Sequence, residues 1–250
     1  MKTKTMALCI CAIGLTLAIT GCAKRGKEVL RMGTTGEYPP FTYLQNDQLR
    51  GVDIEIGTRI AEKLGMELKI EQLPFDSLFP SLATNQIDIA MDAITITEER
   101  SKFLDFSSSY YTADQVIVAP ENSAIKIAKL EELGSYKIGC QKETTGAEYV
   151  KKNLVDKGLL PSKNYQEFTT NVEALGELFG GRIDLLSIDN TAATGFAKQK
   201  PLRIVYTIPT GENYGIAMHK GKSLNPKVKK AMDEMLADGE VEAIIARNIK

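Results

Sequence analysis

Ile87-Asp88-Ile89-Ala90-Met91-Asp92-Ala93-Ile94-Thr95-Ile96-Thr97-Glu98-Glu99-Arg100 is the stretch on which the fold turns. Its apolar start, residues 87–91, has the length and composition of one short buried strand. It runs into a polar loop and closes on an arginine that precedes a helix. Outward in both directions, short strand-like runs alternate with amphipathic stretches. Upstream, residues 29–34 and 66–73 are strands. Between them Ile56, Ile60, Ala61 and Leu64 recur at helical spacing from Asp53, and Gly65 stops that helix. Residues 77–82 form a short helix. Downstream, residues 116–119, 137–140, 183–188, 204–207 and 214–218 are strands. Thr145 caps a helix that runs through Leu154, residues 172–179 are helical, and residues 227–247 make the closing helices. Alternation of this kind means α/β layers around a mainly parallel sheet. No internal repeat or low-complexity tract interrupts it.

The first residues belong to a different logic. Lys2 and Lys4 are followed by an apolar run over residues 6–19, too short for a membrane span and fitting the h-region of a secretory signal. It ends in Ile19-Thr20-Gly21-Cys22, which looks like a bacterial lipobox; cleavage before Cys22 and a diacylglycerol on its sulfur are what that resemblance implies. An ordinary secretory signal with an incidental cysteine is the alternative. Residues 22–28, with Lys24, Arg25 and Lys27, make a solvated tether. Of the four cysteines, Cys9 and Cys11 fall in the removed segment, Cys22 takes the lipid and Cys140 is left alone. No internal disulfide can form, so stability must come from the core. The formal net charge of −1 offers no basic excess for nucleic acid.

Motifs of catalysis are missing. There is no glycine-rich phosphate loop, no H-E-x-x-H, no C-x-x-C and no G-x-S-x-G. The single histidine, His219, has no partner cluster and is read as structural or surface. The expectation is a protein with no catalytic residues, no metal and no cofactor.

Seven phrases, in order, resemble the family-3 solute-binding proteins of polar amino-acid ABC importers. They are residues 33–41 (Gly33 to Phe41), Gly51-Val52-Asp53-Ile54-Glu55-Ile56, residues 75–82, and residues 88–100 continuing through Asp105-Phe106-Ser107 to Tyr110-Tyr111. Residues 138–149, Gly181-Arg182-Ile183-Asp184 followed by Asp189, and Tyr214-Gly215-Ile216-Ala217 complete the set. The resemblance implies an α/β, two-lobed periplasmic-binding-protein type II (Venus-flytrap) fold with two mainly parallel sheets and a two-strand hinge. Residues 29–111 and 210–250 would form the first lobe and residues 112–209 the second, with the ligand clamped between them.

It also implies a site. Arg100 would grip an α-carboxylate with its planar fork, a geometry lysine lacks. Thr95 would add a hydroxyl, the Ala93 backbone would accept from the α-ammonium, and Thr145 would bring a helix N-terminus. Asp189 ends an apolar strand, where a carboxylate is costly unless paired; the family places the α-ammonium partner there. Tyr38 and Phe75 match positions that sandwich the ligand's stem, and Gln141 stands near its side chain. Asp92 occupies a position commonly serine, glycine or alanine. An unpaired carboxylate in a closing cleft attracts a cation, which favours arginine, lysine or ornithine over glutamine or histidine. Glu143 replaces a usual glycine.

The implied partners are a free amino acid, the permease and ATPase of an ABC importer, and a bacterial membrane reached through the Cys22 lipid, with the protein a monomer facing the periplasm or cell exterior. Two other classes compete: an enzyme resembling cyclohexadienyl dehydratases, and a sensor module, which would usually be fused to membrane and signalling domains.

Overall fold

The computed structural model describes residues 27–249. The expected signal segment 1–21, Cys22 and all but the last two residues of the tether lie outside the described residues.

The first sheet grows from β1 (Val29–Thr34). A short antiparallel sheet follows, built from β2 (Glu37–Tyr38), β3 (Thr42–Gln45) and β4 (Gln48–Arg50). Next come α1 (Val52–Leu64), β5 (Glu67–Gln72), α2 (Phe75–Ala83), β6 (Ile89–Ala90), α3 (Glu98–Ser101) and β7 (Leu104–Phe106). Gly65 ends α1 at φ 68°, a left-handed turn that glycine adopts without a Cβ penalty. The chain then crosses to a second sheet along β8 (Tyr111–Pro120). It continues through β9 (Ile138–Gln141), α4 (Thr145–Val150), β10 (Tyr165–Phe168), α5 (Asn171–Phe179), β11 (Leu185–Asp189) and α6 (Asn190–Ala197). It returns along β12 (Leu202–Tyr214) to β13 (Ala217–His219) and closes with α7 (Asn225–Ala237) and α8 (Glu240–Asn248).

The sheet orders are β5-β1-β6-β13-β7 and β10-β9-β11-β8-β12. The expected parallel pairing holds for β5-β1-β6 and β10-β9-β11. Each sheet is then completed by antiparallel strands, because the two crossing segments enter the second sheet and β13 re-enters the first against the grain. Both sheets are therefore mixed. Side chains alternate between their faces: Ile89 and Met218 pack with α1, α7 and α8, while their neighbours Ala90 and Ala217 pack with α2. In the second lobe Val116 and Val118 face α5 and α6, and Ile117 and Ala119 face α4. Cys140 is buried in that last core, and burial pushes its thiol well above the ordinary range.

Several local expectations change. The crossing strand is longer than the apolar run 116–119, because its ends pair with β12 at Tyr111 and Tyr214. The helix from Thr145 is regular only to Val150 and continues over residues 151–155 as a wider π turn. Arg100 lies inside α3 rather than before a helix.

One buried carboxylate organises the first lobe. Asp53, in the first turn of α1, is fully buried; it accepts from Tyr110 Oη at 2.7 Å and from the Ala93 amide at 2.8 Å. The second bond pins Ala93 at φ 52°, a left-handed conformation unusual for alanine. Burial pushes the Asp53 carboxyl up to about 7, against the opposing pull of those two bonds. The native chain thus keeps a proton there that the unfolded chain releases at lower pH. This group's contribution to stability is full below about pH 4 and is lost as pH rises through about 7. In guanidinium titrations at about pH 5 and about pH 8, the stability advantage of wild type over Asp53→Asn should shrink at the higher pH. An advantage that grows with pH rules out the protonated Asp53.

Candidate functional site

The parallel strands deliver their polar residues from their carboxyl ends, where α/β sheets place ligands. β1 ends at Thr34, β6 leads into residues 92–95, β9 ends at Gln141 and β11 ends at Asp189. These ends meet between the lobes. All nine expected residues, Tyr38, Phe75, Asp92, Ala93, Thr95, Arg100, Gln141, Thr145 and Asp189, line one cavity there, joined by Gln115, Thr144, Asn171, Ser187 and Ile188.

Asp189 is the N-cap residue of α6, yet its side chain makes no capping bond. It turns instead into the cavity. Its carboxylate accepts from Tyr38 Oη at 2.6 Å, from Tyr214 Oη at 2.5 Å and from Gln115 Nε2. Burial, and then the negative charge of Glu212, push its carboxyl up to about 6. Burial, and then the charge of Asp189, drive the Tyr38 and Tyr214 hydroxyls well above their usual range, so both donate their protons to Asp189.

Arg100 is 8% exposed, and loss of solvent lowers its pKa below the free value. Its guanidinium lies over Phe79, 5.1 Å from the ring centroid, and 5.9 Å from that of Phe75. One terminal nitrogen donates to the Thr95 carbonyl at 2.9 Å and the other crosses to the Glu143 carbonyl at 2.8 Å. Glu143 presents that carbonyl from φ 61°, the backbone a glycine would take. Phe75 is both core and cavity wall: it packs with Leu78, Leu82 and Ile87 while facing the site.

Asp92 departs from expectation. It is not unpaired, because its Oδ1 accepts from Thr34 Oγ1, the Thr35 amide and Thr35 Oγ1, each at 2.9 Å. Burial still outweighs those bonds and lifts its carboxyl to about 6. Gln141 is likewise engaged, donating to the Thr169 carbonyl at 3.2 Å and accepting from Asn171 Nδ2 at 2.6 Å.

The cap of α4 is Thr144, not Thr145. Thr144 Oγ1 accepts from the Ala147 amide at 3.1 Å, which frees Thr145 to donate to Glu212 at 2.7 Å. One residue on, Gly146 leaves room for Gln115. A Cβ there would meet Gln115 Oε1 at 2.6 Å and Ser187 Oγ at 3.0 Å. Those same two atoms are the buried side-chain polar atoms without a partner among the described residues, and both residues line the cavity. They present polar atoms where a donor would be satisfied. Gln115, Glu212 and Ser187 were not picked out from sequence. The available signal was a lone polar residue inside the apolar strand runs around 115 and 187.

A model of the bacterial extracellular solute-binding proteins, family 3, matches residues 30–250. The chain belongs to this family. Among its relatives, the arginine-binding extracellular protein ArtP of Bacillus subtilis is 30% identical over 253 aligned positions, covering 96% of each chain. An ancestral arginine-binding protein bound to arginine has 37% identity and a TM-score of 0.81, with 90% of this chain and 99% of that one covered. The ancestral amino acid-binding protein AncCDT-1, a precursor of cyclohexadienyl dehydratase, has 32% identity and a TM-score of 0.78 over 89% of this chain and 96% of that one. This family-3 chain shares with those structures the two-lobed type II periplasmic binding fold, which suits a solute buried at the meeting of two sheets.

The division of labour between the adjacent threonines is testable. Thr144→Ala should cost about 0.5–2 kcal/mol in chemical denaturation, the usual loss for a side-chain N-cap. Thr145→Ala leaves the cap in place and removes the bond to Glu212, so its loss should shrink in a Glu212→Gln background while that of Thr144→Ala should not. The opposite pattern would reverse the assignment.

Proposed function

We propose that this solute-binding protein captures a free L-amino acid with a basic side chain, arginine, lysine or ornithine, and hands it to the permease and ATPase of an ABC importer. The observation that carries the reading is the placing of opposite anchors across one cavity. Arg100 and Thr95 come from the elements around the first sheet, and Thr145 and Asp189 from those around the second. The α-carboxylate fits the guanidinium and the two hydroxyls; the α-ammonium fits Asp189 and the Ala93 carbonyl. A zwitterion touching both sets favours closure, because only contacts that differ between open and closed forms can shift that balance. We take residues 29–111 with 210–250, and 112–209, as the moving lobes, with β8 and β12 as the hinge.

The basic side chain follows from a surplus of acceptors. Among the described residues Arg100 is the single cationic side chain on the cavity wall, against Asp92 and Asp189, with Gln115 Oε1 unsatisfied. A guanidinium or ammonium supplies the donors that such a wall lacks. A polar ligand such as glutamine is the second reading. Three bonds already saturate Asp92 Oδ1, and the Gln141–Asn171 amide pair offers neutral recognition.

We further propose that the chain is not an enzyme. The relatives above are binding proteins, and AncCDT-1 is itself named as one, although a dehydratase descends from it. The Ile19-Thr20-Gly21-Cys22 phrase supports export and a lipid anchor at Cys22, leaving a monomeric domain outside the cytoplasmic membrane. Among the described residues, no helix is long and apolar enough to cross a membrane.

A thermal-shift screen of residues 23–250 against the common amino acids, ornithine, citrulline and prephenate tests the ligand class, since binding to the native state raises the melting temperature. Arginine, lysine or ornithine should give the largest shift. Arg100→Ala should abolish the response to every amino acid, and Asp92→Ala should weaken cationic ligands selectively. Equal losses for arginine and glutamine in Asp92→Ala defeat the selectivity assignment, and a shift with prephenate alone defeats the transport reading.

A further inference from the structure

β12, the strand that returns to the first sheet, brings a carboxylate, Glu212, onto two threonines that line the cavity. Its pairing with β8 is irregular between Ile208 and Glu212. There side chains replace ladder bonds: Thr210 Oγ1 accepts from the Gln115 amide at 3.1 Å and Asp114 Oδ1 from the Gly211 amide at 2.9 Å. Gly211, at φ 59°, allows the bend. Beyond it, Glu212 and Tyr214 are two residues apart and so share one strand face. Tyr214 reaches Asp189, and Glu212 reaches the threonines.

The contacts of Glu212 are specific. A single oxygen, Oε2, accepts from Thr95 Oγ1 at 2.8 Å and from Thr145 Oγ1 at 2.7 Å, one hydroxyl from each side of the cleft. Gln115 Nε2 approaches the same oxygen at 3.4 Å. Both terminal nitrogens of Arg100 donate to main-chain carbonyls, which carry no net charge. Glu212 is the foremost of the negative charges that favour its cation. The groups suited to a ligand carboxylate, two hydroxyls and a guanidinium field, are thus served by a carboxylate of the chain itself.

We propose that Glu212 is an internal stand-in for the ligand's α-carboxylate: it ties the two lobes together through Thr95 and Thr145, and it must release both hydroxyls when an amino acid binds. The inference rests on the amino-acid reading above. Its physical basis is exclusion. Two carboxylates cannot both take the same two hydroxyl protons, and each repels the other in a site of low dielectric. Ligand affinity is therefore measured against a bond the protein already makes. A bystander glutamate would make no such demand, and a glutamate that anchors the α-ammonium would act in the opposite sense.

The test uses Glu212→Gln, which keeps the shape and weakens the acceptor, and Glu212→Ala, which removes it. Circular dichroism and melting temperature establish that each variant is folded. Calorimetric titration with L-arginine should show about tenfold tighter binding to Glu212→Gln, the scale of one charge-assisted bond reduced to a neutral one. Agmatine, which is arginine without the carboxylate, should gain nothing. In small-angle scattering without added amino acid, Glu212→Ala should have a larger radius of gyration than wild type, because the tie is cut, with Glu212→Gln between the two, because it is weakened. Weaker arginine binding in Glu212→Gln would identify an ammonium anchor and overturn the proposal, as would unchanged affinity with unchanged scattering. If scattering shows opening but neither arginine nor any other amino acid binds wild type or variant, the tie stands and the amino-acid reading is what fails.

Discussion

The carboxylate of Asp189 is the point on which the two lobes agree. It is buried at the end of β11, where a lone charge costs several kcal/mol unless it is bonded. Its three donors arrive from three separate stretches: Tyr38 beside the first sheet, Gln115 on the outgoing strand and Tyr214 on the returning one. None of these can move far without stranding it. Tyr214 also packs on Phe41 and Tyr111, with ring centroids 5.2 and 5.8 Å away, so the polar junction is backed by an aromatic one. The cavity wall at Asp189 is thus fixed by bonds that the chain makes with itself.

Asp53 plays a comparable part on a smaller scale. Its bond to the Ala93 amide holds the loop after β6 in a backbone shape that alanine does not favour by itself. That loop carries Asp92, Ala93 and Thr95 to the cavity. Local strain is retained where the surroundings over-determine it, and here a fully buried carboxylate and a tyrosine do so. Three buried aspartates thus support the site in different ways: Asp53 from behind, Asp92 within a threonine cluster and Asp189 across the gap.

The fold was legible because strand and helix periods are local properties. Residues 29–34, 66–73 and 172–179 announce themselves by spacing, and the parallel pairing follows from the helices between strands. The two-residue strand at Glu37–Tyr38 and the strand at Tyr165–Phe168 have too few residues to show a period, and α6, over Asn190–Ala197, has too little apolar contrast. At the site, Arg100 and Asp189 were legible from their motif neighbours, since charged residues beside apolar strands need a reason. Thr144 and Thr145 were not separable, because either hydroxyl can cap and only the helix's first turn decides. Gln115 and Glu212 were illegible for a different reason. Which face a strand residue takes depends on register, and an irregular pairing far along β12 sets that register.

The position of β13 constrains how the molecule is made. It lies between β6 and β7, both of which precede it by more than a hundred residues, so the first sheet stays split until the final segment arrives. The second sheet has no such gap, because β8 to β12 form an unbroken stretch of chain. During synthesis the second lobe can complete its core while the first remains an open half-sheet with an unpaired edge at β6. Long-range closure of this kind is slow compared with local folding. A chain that reaches its native state late remains extended, and so threadable through a narrow pore, for longer.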